Sequence, residues 1–359
     1  MDYERQNLSD VLSRFPRNTA IQEMVFKTLD HIENEATKDG KIMVSISGGS
    51  DSDIMLDLFE RIGYPQGLVT YVWYDTGLEY DATKRHLRDL EGRYGIEIKR
   101  YRSEITVAQA VKKYGYPFIS KEISEKIERG QTKDFDWTSE LSFVELMQTH
   151  QNAKSFLKWW CDGVRETAHT VRRCAFLKEY MQKHPPQVKI SDRCCDATKK
   201  RTAAQARREL SITLECIGVR RAEGGIRAMS YHTCFSEATH NKVAQFRPLF
   251  YLTDADKQEY KDFCSVRYSD CYEVWGFKRT GCCCCPFGSG FEEELEVSKQ
   301  YEPKLYKAAT AIFGASYEYT RKYRIFKEAC KREKRRYGQI DLFDNPDTIV
   351  EDFEVIDNA

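Results

Sequence analysis

Short apolar runs alternate with amphipathic stretches through the first two thirds of the chain. The apolar runs have the length of buried β-strands, and the stretches between them carry apolar residues at helical spacing. This alternation predicts an α/β fold, a parallel sheet flanked by helices, with ligands at the carboxyl ends of the strands. Strands are predicted at 42–46, 68–74, 96–98, 187–190 and 214–219, and helices at about 52–62, 80–94 and 105–114.

Helical stretches extend the alternating region on both sides. Residues 21–36 carry apolar side chains at helical spacing, and a mostly helical region at 120–184 interrupts the alternation. After about residue 255 the pattern becomes mainly helical again. We therefore predict a helical segment at 1–40, a main domain at 41–255, a C-terminal helical region with a cysteine turn at 256–340, and an acidic tail at 341–359.

The composition indicates the cellular compartment of the protein but says little about its reaction. The 359 residues have a formal net charge of zero, so no global field attracts nucleic acid. No apolar run approaches the ~20 residues of a membrane span, and the first residues lack a signal-peptide pattern. We expect a cytosolic protein without a membrane partner. In that compartment thirteen cysteines indicate metal binding or catalysis rather than disulfides.

A serine- and glycine-rich turn joins the first predicted strand to the helix after it. The string SGGSDS at 47–52 aims backbone N–H groups and a helix N-terminus at one point, which suits a phosphate. Its serines add hydroxyl donors, and Asp51 is a candidate ligand for magnesium on the phosphates. The string is neither a Walker A motif nor GxGxxG. The alternative interpretation is an ordinary turn.

Cysteines form two tight groups that are far apart in the sequence. Cys194 and Cys195 follow a predicted strand, while Cys282 and Cys285 have CxxC spacing and precede a proline. Four thiolates suffice for a 4Fe-4S cluster, and a tetrahedral zinc site is the metal alternative. Burial of the thiols as small hydrophobic groups is the third interpretation. The intervening Cys283–Cys284 pair is left open, either as a sulfur carrier or without a role.

Basic residues are concentrated near the end of the chain. The run KREKRR at 331–336 precedes residues 341–357, which carry seven acids and no base. Smaller basic groups lie at 199–201 and 207–208. Each is either a solvated helix face or a contact for nucleic-acid phosphates.

Several motifs, taken in order, resemble the phosphoadenosine phosphosulfate reductase family of PP-loop ATP pyrophosphatases. The resemblance covers roughly 41–290 and implies the adenine-nucleotide α-hydrolase-like (HUP) fold. Besides the SGGSDS loop, it rests on the segments YDTGLE at 74–79, GVRRAE at 218–223, RPLFYLTD at 247–254 and RTGCCCCP at 279–286.

The resemblance also implies roles for individual side chains. Asp75 is expected to face the nucleotide or its metal, although a helix N-cap is the alternative. Arg220 is expected to pair with a phosphate, and Lys121 to lie near the terminal phosphate or sulfate. The candidate catalytic residues are Asp51, Lys121 and Arg220. The candidate nucleotide-binding residues are Ser45, Ser47, Gly48, Gly49, Ser50, Asp51, Ser52, Asp75, Thr76, Gly77, Gly218, Arg220 and Arg279.

Two departures from the sulfonucleotide reductases favour ATP over a sulfonucleotide. The loop is complete, and residues 354–359 lack the tail cysteine that those reductases use. In this combination the chain resembles DndC-type DNA-phosphorothioation and CRISPR-associated CysH-like proteins. We therefore expect cleavage of ATP to AMP and pyrophosphate, which adenylates an acceptor for sulfur transfer in nucleic-acid modification or defence. A nucleic-acid acceptor and a sulfur-donor protein are the expected partners.

Two alternatives remain open on the sequence. One is a sulfonucleotide reductase that uses an external thiol, and the other is a nucleotide-binding accessory subunit without turnover.

Overall fold

A six-stranded sheet forms the centre of the computed structural model, which describes residues 6–161, 170–224, 231–240 and 242–336. Its spatial order is β3-β2-β1-β4-β6-β5, and every pairing is parallel except that of β5 with β6. The predicted α/β fold of the HUP type is confirmed. The strands are β1 Ile42–Ile46, β2 Val69–Asp75, β3 Ile98–Arg102, β4 Leu214–Ile217, β5 Phe235–Ser236 and β6 Ala244–Phe246.

The strand order reverses beside β1. That strand pairs on one side with β2, from Ile42 opposite Val69, and on the other with β4, from Ile42 opposite Leu214. The chain therefore adds β2 and β3 on one side of β1 and adds β4, β6 and β5 on the other side. In such sheets a crevice opens at the carboxyl ends of the two strands, which is where ligands bind.

Helices form most of the remaining described structure. In chain order the first nine helices are α1 Leu8–Leu12, α2 Thr19–Thr37, α3 Ser50–Ile62, α4 Asp81–Tyr94, α5 Val107–Tyr114, α6 Lys121–Gln131, α7 Phe143–Thr149, α8 Lys154–Trp160 and α9 Leu177–Lys183. They are followed by α10 Arg193–Cys195, a π-helical turn Asp196–Lys200, α11 Arg201–Glu209, α12 Asp254–Cys264, α13 Asp270–Glu273, α14 Phe291–Tyr301 and α15 Pro303–Arg336. Within the described residues, no helix combines the length and apolar character needed to cross a membrane.

Helix α2 shows how the sequence fixes an element. Asn18 caps its first turn, because the side-chain oxygen accepts hydrogen bonds from the amides of Ala20 (2.9 Å) and Ile21 (3.3 Å). The predicted apolar face is buried in the core beneath the sheet, which confirms the helix. The buried apolar residues are Ile21, Met24, Val25, Leu29 and Ile32.

The strand predicted at 187–190 is wrong. Only Ile190 makes a bridge, with Tyr116, and no ladder forms. The Gln131 side chain takes the place of a partner strand, since it donates to the Val188 carbonyl (2.8 Å) and accepts from the Ile190 amide (2.9 Å). Strand β3 begins at Ile98 rather than at residue 96, and the short β5 and β6 were not predicted.

Contacts divide the chain into two compact units. The first comprises Met1–Gly115 and Asp192–Phe313, and the second comprises Tyr116–Ser191 and Gly314–Ala359, each over its described residues. The sheet core belongs to the first unit, while an aromatic core that includes Phe156 and Trp160 belongs to the second. The segment boundaries predicted from the sequence stay predictions, and the acidic tail lies outside the described residues.

Candidate nucleotide and cysteine site

One hydroxyl closes the loop between β1 and α3. Ser52 Oγ accepts hydrogen bonds from the amides of Ser47 (3.2 Å) and Gly49 (3.1 Å) and donates to the Gly49 carbonyl (2.8 Å). Ser47 Oγ lies 3.2 Å from the same hydroxyl. The loop is therefore pinned by a side chain in its own first helical turn, which leaves the helix N-terminus at the carboxyl end of β1.

Two glycines sit where a side chain would collide. Gly48 has a φ of +65°, and a Cβ there would lie 2.7 Å from the Thr83 methyl carbon. At the end of β4, a Cβ on Gly218 would lie 3.3 Å from the carbonyl carbon of Asp51 and the amide of Ser52. The segment after β4 thus packs directly on the first turn of α3, and brings Arg220 to the loop.

Two cations converge on the first turn of α3. Asp51 Oδ1 lies 2.9 Å from Arg220 Nε and 2.6 Å from Lys257 Nζ, and the ammonium also donates to Ser50 Oγ at 2.6 Å. The side chains of Arg220 and Lys257 are only 6% and 14% exposed. Arg220 Nη1 pairs in addition with Asp254 at 2.8 Å. Two cations, each paired with a carboxylate, therefore lie at the point at which the loop amides would meet a phosphate.

Lys257 was missed in the sequence analysis. It lies one turn into α12, whose start is fixed by a reciprocal cap in which Thr253 Oγ1 accepts from the Asp256 amide and donates to its carboxylate. That cap was readable in the sequence. The approach of this helix to α3 was not, because it depends on the tertiary packing of two elements that are 200 residues apart.

The assignment of Asp51 to magnesium stays a prediction. A magnesium ion needs a carboxylate whose charge is available. The Asp51 carboxylate already faces two cations, so the described groups suit a bare phosphate better than a metal ion at this position.

Two hydroxyl groups from the segment that precedes Cys282 lie close to the loop at Gly49. Tyr272 OH and Thr280 Oγ1 lie 3.0 Å apart. A Cβ placed on Gly49 would come within 3.3 Å of the first and 3.6 Å of the second. The hydroxyl oxygens of Tyr272 and Thr280 therefore lie beside the loop, and Thr280 is two residues before Cys282 in the sequence.

A buried ion pair supports α3 from behind the loop. His86 Nε2 lies 2.8 Å from Asp53 Oδ2, and both side chains are almost fully buried. Burial raises the pKa of Asp53, against the hydrogen bond from His86, which lowers it. Burial alone would lower the pKa of His86, but the hydrogen bond and the charge of Asp53 raise it overall.

The polar side chains at the end of β2 form hydrogen bonds with residues of the adjacent strand and turn. Asp75 accepts hydrogen bonds from Arg100 Nε (2.8 Å) and from the Gly77 amide (2.8 Å). Burial alone would raise the pKa of Asp75, but these donors lower it overall. Thr76 Oγ1 donates to Glu79 at 2.6 Å and lies 3.5 Å from Cys282 Sγ. In this structure Asp75 and Thr76 therefore stabilise the turn after β2.

That turn positions the CxxC segment. Glu79 and Cys282 form a β-bridge, and the Cys283 amide donates to the Leu78 carbonyl at 2.7 Å. The hydrogen bond with Cys195 and burial raise the pKa of Cys194, and the charges of Cys285 and Cys282 raise it further. The charges of the two cysteine groups thus act on one another's pKa, although the groups are distant in sequence.

A partly buried lysine faces the same thiols. Lys199 lies in the π-helical turn directly after Cys195, and the charge of Cys282 raises its pKa. π-Helical turns are uncommon and are frequent at functional sites. The charges of Cys195 and Cys285 also raise the pKa of Lys199.

The four thiols have the chemistry of an iron–sulfur or zinc ligand set but do not form a coordination shell. Over the described ranges, no three Cys, His, Asp or Glu side chains are arranged to hold one metal ion. Cys283 and Cys284 are fully buried and belong to a separate pair, with their sulfurs 3.5 Å apart and Ser298 Oγ 3.3 Å from Cys284 Sγ. Their burial is unfavourable for a sulfur carrier, which must reach a substrate.

A sequence model of the family decides the relationship. The model for the phosphoadenosine phosphosulfate reductase domain matches residues 41–173 and 137–287, which together exceed half of the chain. The chain belongs to the phosphoadenosine phosphosulfate reductase family. The predicted resemblance is confirmed, and the matched region contains the loop, the β4 segment and both cysteine groups of this family member.

Individual relatives are more distant. An uncharacterized protein of Methanocaldococcus jannaschii is 34% identical over 108 residues, 30% of this chain and 19% of that protein, so the match spans about a fifth of the relative's length. The phosphoadenylyl-sulfate reductase of Candida auris is 12% identical, with a TM-score of 0.39 over 79% of this chain and 97% of that one. The U34-tRNA thiolase NcsA from Methanococcus maripaludis, with its 4Fe-4S cluster, is 14% identical, with a TM-score of 0.37 over 87% and 81%.

Three other predicted site residues occupy the following positions in the fold. Ser45 Oγ lies 3.1 Å from Tyr74 OH within the sheet. Arg279 is largely exposed and pairs with Glu223 at 2.7 Å. Lys121 begins α6 in the second compact unit. Their assignment to nucleotide or catalysis stays a prediction in this family member.

Proposed function

We propose that this chain binds ATP and cleaves it to AMP and pyrophosphate, adenylating an acceptor for sulfur transfer to a nucleic acid. The observation that carries the proposal is the complete SGGSDS loop together with the convergence of Arg220 and Lys257 on Asp51 at the start of α3. Family membership supports an adenine nucleotide as the ligand.

The chemistry follows from where the positive charge lies. An acceptor oxygen attacks the α-phosphorus, and the bond to the bridging oxygen of the β-phosphate breaks. Pyrophosphate leaves with the electron pair, so negative charge develops on its oxygens. Arg220, Lys257 and the loop amides stabilise that charge, as preorganised donors do in phosphoryl transfer. A sulfur nucleophile then displaces AMP from the adenylated acceptor.

The four cysteines are the residues that we assign to the sulfur-transfer part of this proposal. Cys194, Cys195, Cys282 and Cys285 would hold a 4Fe-4S cluster, whose chemistry when bound is to deliver or orient sulfur. Support comes from the donor set and from the electrostatic proximity of the four thiols. Zinc is the alternative metal for the same ligands.

Two neighbouring arginines offer a matched test of the nucleotide chemistry. Arg220→Gln removes the guanidinium from Asp51, while Arg221→Gln removes an exposed charge one residue later. With α-labelled ATP and candidate nucleic acids, wild type and Arg221→Gln should release AMP and pyrophosphate, and Arg220→Gln should lose most of this activity. Release of ADP and phosphate instead would refute the proposal.

Metal content is tested independently of turnover. After anaerobic purification, wild type should contain about four iron and four sulfide per chain. Cys282→Ala should lose them, while Cys330→Ala, whose thiol lies in α15, should retain them. A colourless zinc-containing protein would overturn the cluster.

Reduction of a sulfonucleotide is the second candidate, favoured by the family match itself. It predicts release of sulfite from phosphoadenosine phosphosulfate or adenosine phosphosulfate with an external dithiol. Absence of binding to either nucleotide would remove it.

A further inference from the structure

Positive charge is concentrated in the second compact unit, although the whole chain is neutral. In its described ranges up to residue 334, eighteen Lys and Arg face eleven Asp and Glu. The excess lies mainly in residues 171–183 and 325–334, which contain eight bases and three acids. We call these two segments the basic seam. A local excess of this kind attracts a polyanion even where the net charge does not.

The two halves of the seam are held together by aromatic packing. Tyr180 of α9 has ring-centroid distances of 5.3 Å to Tyr319 and 5.5 Å to Tyr323, both in α15. Tyr180 and Tyr323 are buried, so this contact between α9 and α15 lies inside the unit.

Aromatic rings lie beside the cations of the seam. Lys334 Nζ is 4.9 Å from the ring centroid of Phe176, and Lys183 Nζ is 5.4 Å from that of Phe326. Both rings are half-buried, so each keeps an accessible part. Cations that follow a backbone, interleaved with rings on which bases stack, are the combination that binds single-stranded nucleic acids.

The spacing along α15 matches a phosphate backbone. Lys327, Lys331 and Lys334 recur at intervals of four and three residues, which places them along one helical face. They span about 10 Å at 1.5 Å per residue. That length corresponds to about three nucleotides of one strand at 3.4 Å each.

We propose that the basic seam binds the backbone phosphates of a nucleic-acid strand, which is the acceptor of the proposed sulfur-transfer reaction. The inference rests on the proposed function for the identity of the acceptor, and on the seam alone for the binding.

The test compares two cations of the seam with a neighbour on the same helix. Lys327→Gln/Lys334→Gln removes two seam charges. Lys322→Gln is the control, because its ammonium pairs with Glu318 at 2.7 Å one turn away. Fluorescence anisotropy with labelled 20-nucleotide single-stranded RNA, single-stranded DNA and duplex DNA is recorded on the full chain without ATP, from 50 to 200 mM salt. Circular dichroism checks that each variant folds.

The expected result is a smaller salt dependence for the double variant. The slope of log Kd against log salt should fall by about 1.4 on a single strand or about 1.8 on a duplex, from 0.7 and 0.9 counterions per lost contact. Lys322→Gln should keep the wild-type slope. Identical slopes for the double variant and wild type overturn the inference. So does seam-dependent binding to phosphatidylserine vesicles without binding to any nucleic acid.

Failure of the proposed function would look different. Pyrophosphate release is measured on the same preparations, and Lys257→Met should impair nucleotide binding while it retains the nucleic-acid slope. A different result is that the seam variants behave as expected while none of the preparations releases AMP and pyrophosphate. That result would support the nucleic-acid-binding surface and refute the proposed cleavage of ATP.

Discussion

Replacement of Lys257 by Met tests whether the loop binds phosphate through its two cations. The ammonium lies 2.6 Å from both Asp51 Oδ1 and Ser50 Oγ, and its side chain is 14% exposed. Methionine keeps the length and the apolar stem but removes the charge. Asp51 stays paired with Arg220, so we expect the fold to survive the change.

The magnitude follows from the type of contact that is lost. A hydrogen bond from a charged donor contributes about 1.5–3 kcal/mol. At 1.4 kcal/mol per factor of ten, the loss should weaken ATP binding by about 10- to 150-fold. The partial burial of Lys257 favours the upper part of this range, because solvent screens a buried pair less than an exposed one.

A matched control lies one turn further along α12. Lys261 pairs with Glu273 at 2.9 Å, so Lys261→Met removes the same charge from the same helix without touching the loop. Isothermal titration with a non-hydrolysable ATP analogue measures both variants. Binding by Lys257→Met within twofold of wild type would refute the reasoning, and so would an equal loss in Lys261→Met.

Three further changes test the loop, the pair behind it and the second unit. Ser52→Ala should cost about 1–3 kcal/mol in urea unfolding, since the loop amides lose their buried acceptor. His86 has a raised pKa, so its stabilising effect is complete below the ordinary value of 6.5 and is lost as pH rises through the folded-state pKa. His86→Gln should therefore remove this fall in stability above pH 6.5. Gly130→Ala should destabilise by about 1–3 kcal/mol in thermal unfolding, because its Cβ would lie 2.6 Å from Trp137.

Each of these three predictions has an outcome that would contradict it. Unchanged urea stability of Ser52→Ala would mean that water replaces the hydroxyl in the loop. A parallel pH profile for His86→Gln would mean that the Asp53 pair does not titrate in this window. For Gly130→Ala the control is Gly314→Ala, whose Cβ would meet nothing within 4 Å and which should gain up to about 1 kcal/mol as a helical alanine. Equal effects at both glycines would contradict a steric cause.

The sequence predicted the parts of the fold whose signals are local. Strand β1, the loop and α3 follow from an apolar run, a glycine turn and a helical repeat within 20 residues. The prediction failed at 187–190, where an apolar run resembles a strand but the Gln131 side chain satisfies its backbone groups. No local pattern distinguishes these two outcomes, because the deciding partner lies almost 60 residues away.

The residues of the candidate site also fall into those that the sequence predicted and those that only the fold reveals. Gly48 was found because a phosphate loop demands a glycine locally, and Gly218 because it begins the GVRRAE segment that resembles the family. Lys257 and Arg100 were not, since a lysine on an amphipathic helix and an arginine on an edge strand are most often solvated. Only the fold brings Lys257 to α3 and Arg100 to Asp75.

The charges around α3 determine which donor a phosphate reaches first. Arg220 and Lys257 are balanced by Asp51 and Asp254, so the four groups carry no net charge and a phosphate must displace a carboxylate. Asp254 is 84% exposed and Asp51 only 16%, so the Asp254 pair is screened by water and costs less to break. Arg220 Nη1 is therefore the nitrogen that becomes available first, while Nε stays bound to Asp51. In the proposed function, Asp51 then keeps the guanidinium aimed at the loop as the phosphate binds, a role for which its negative charge suffices.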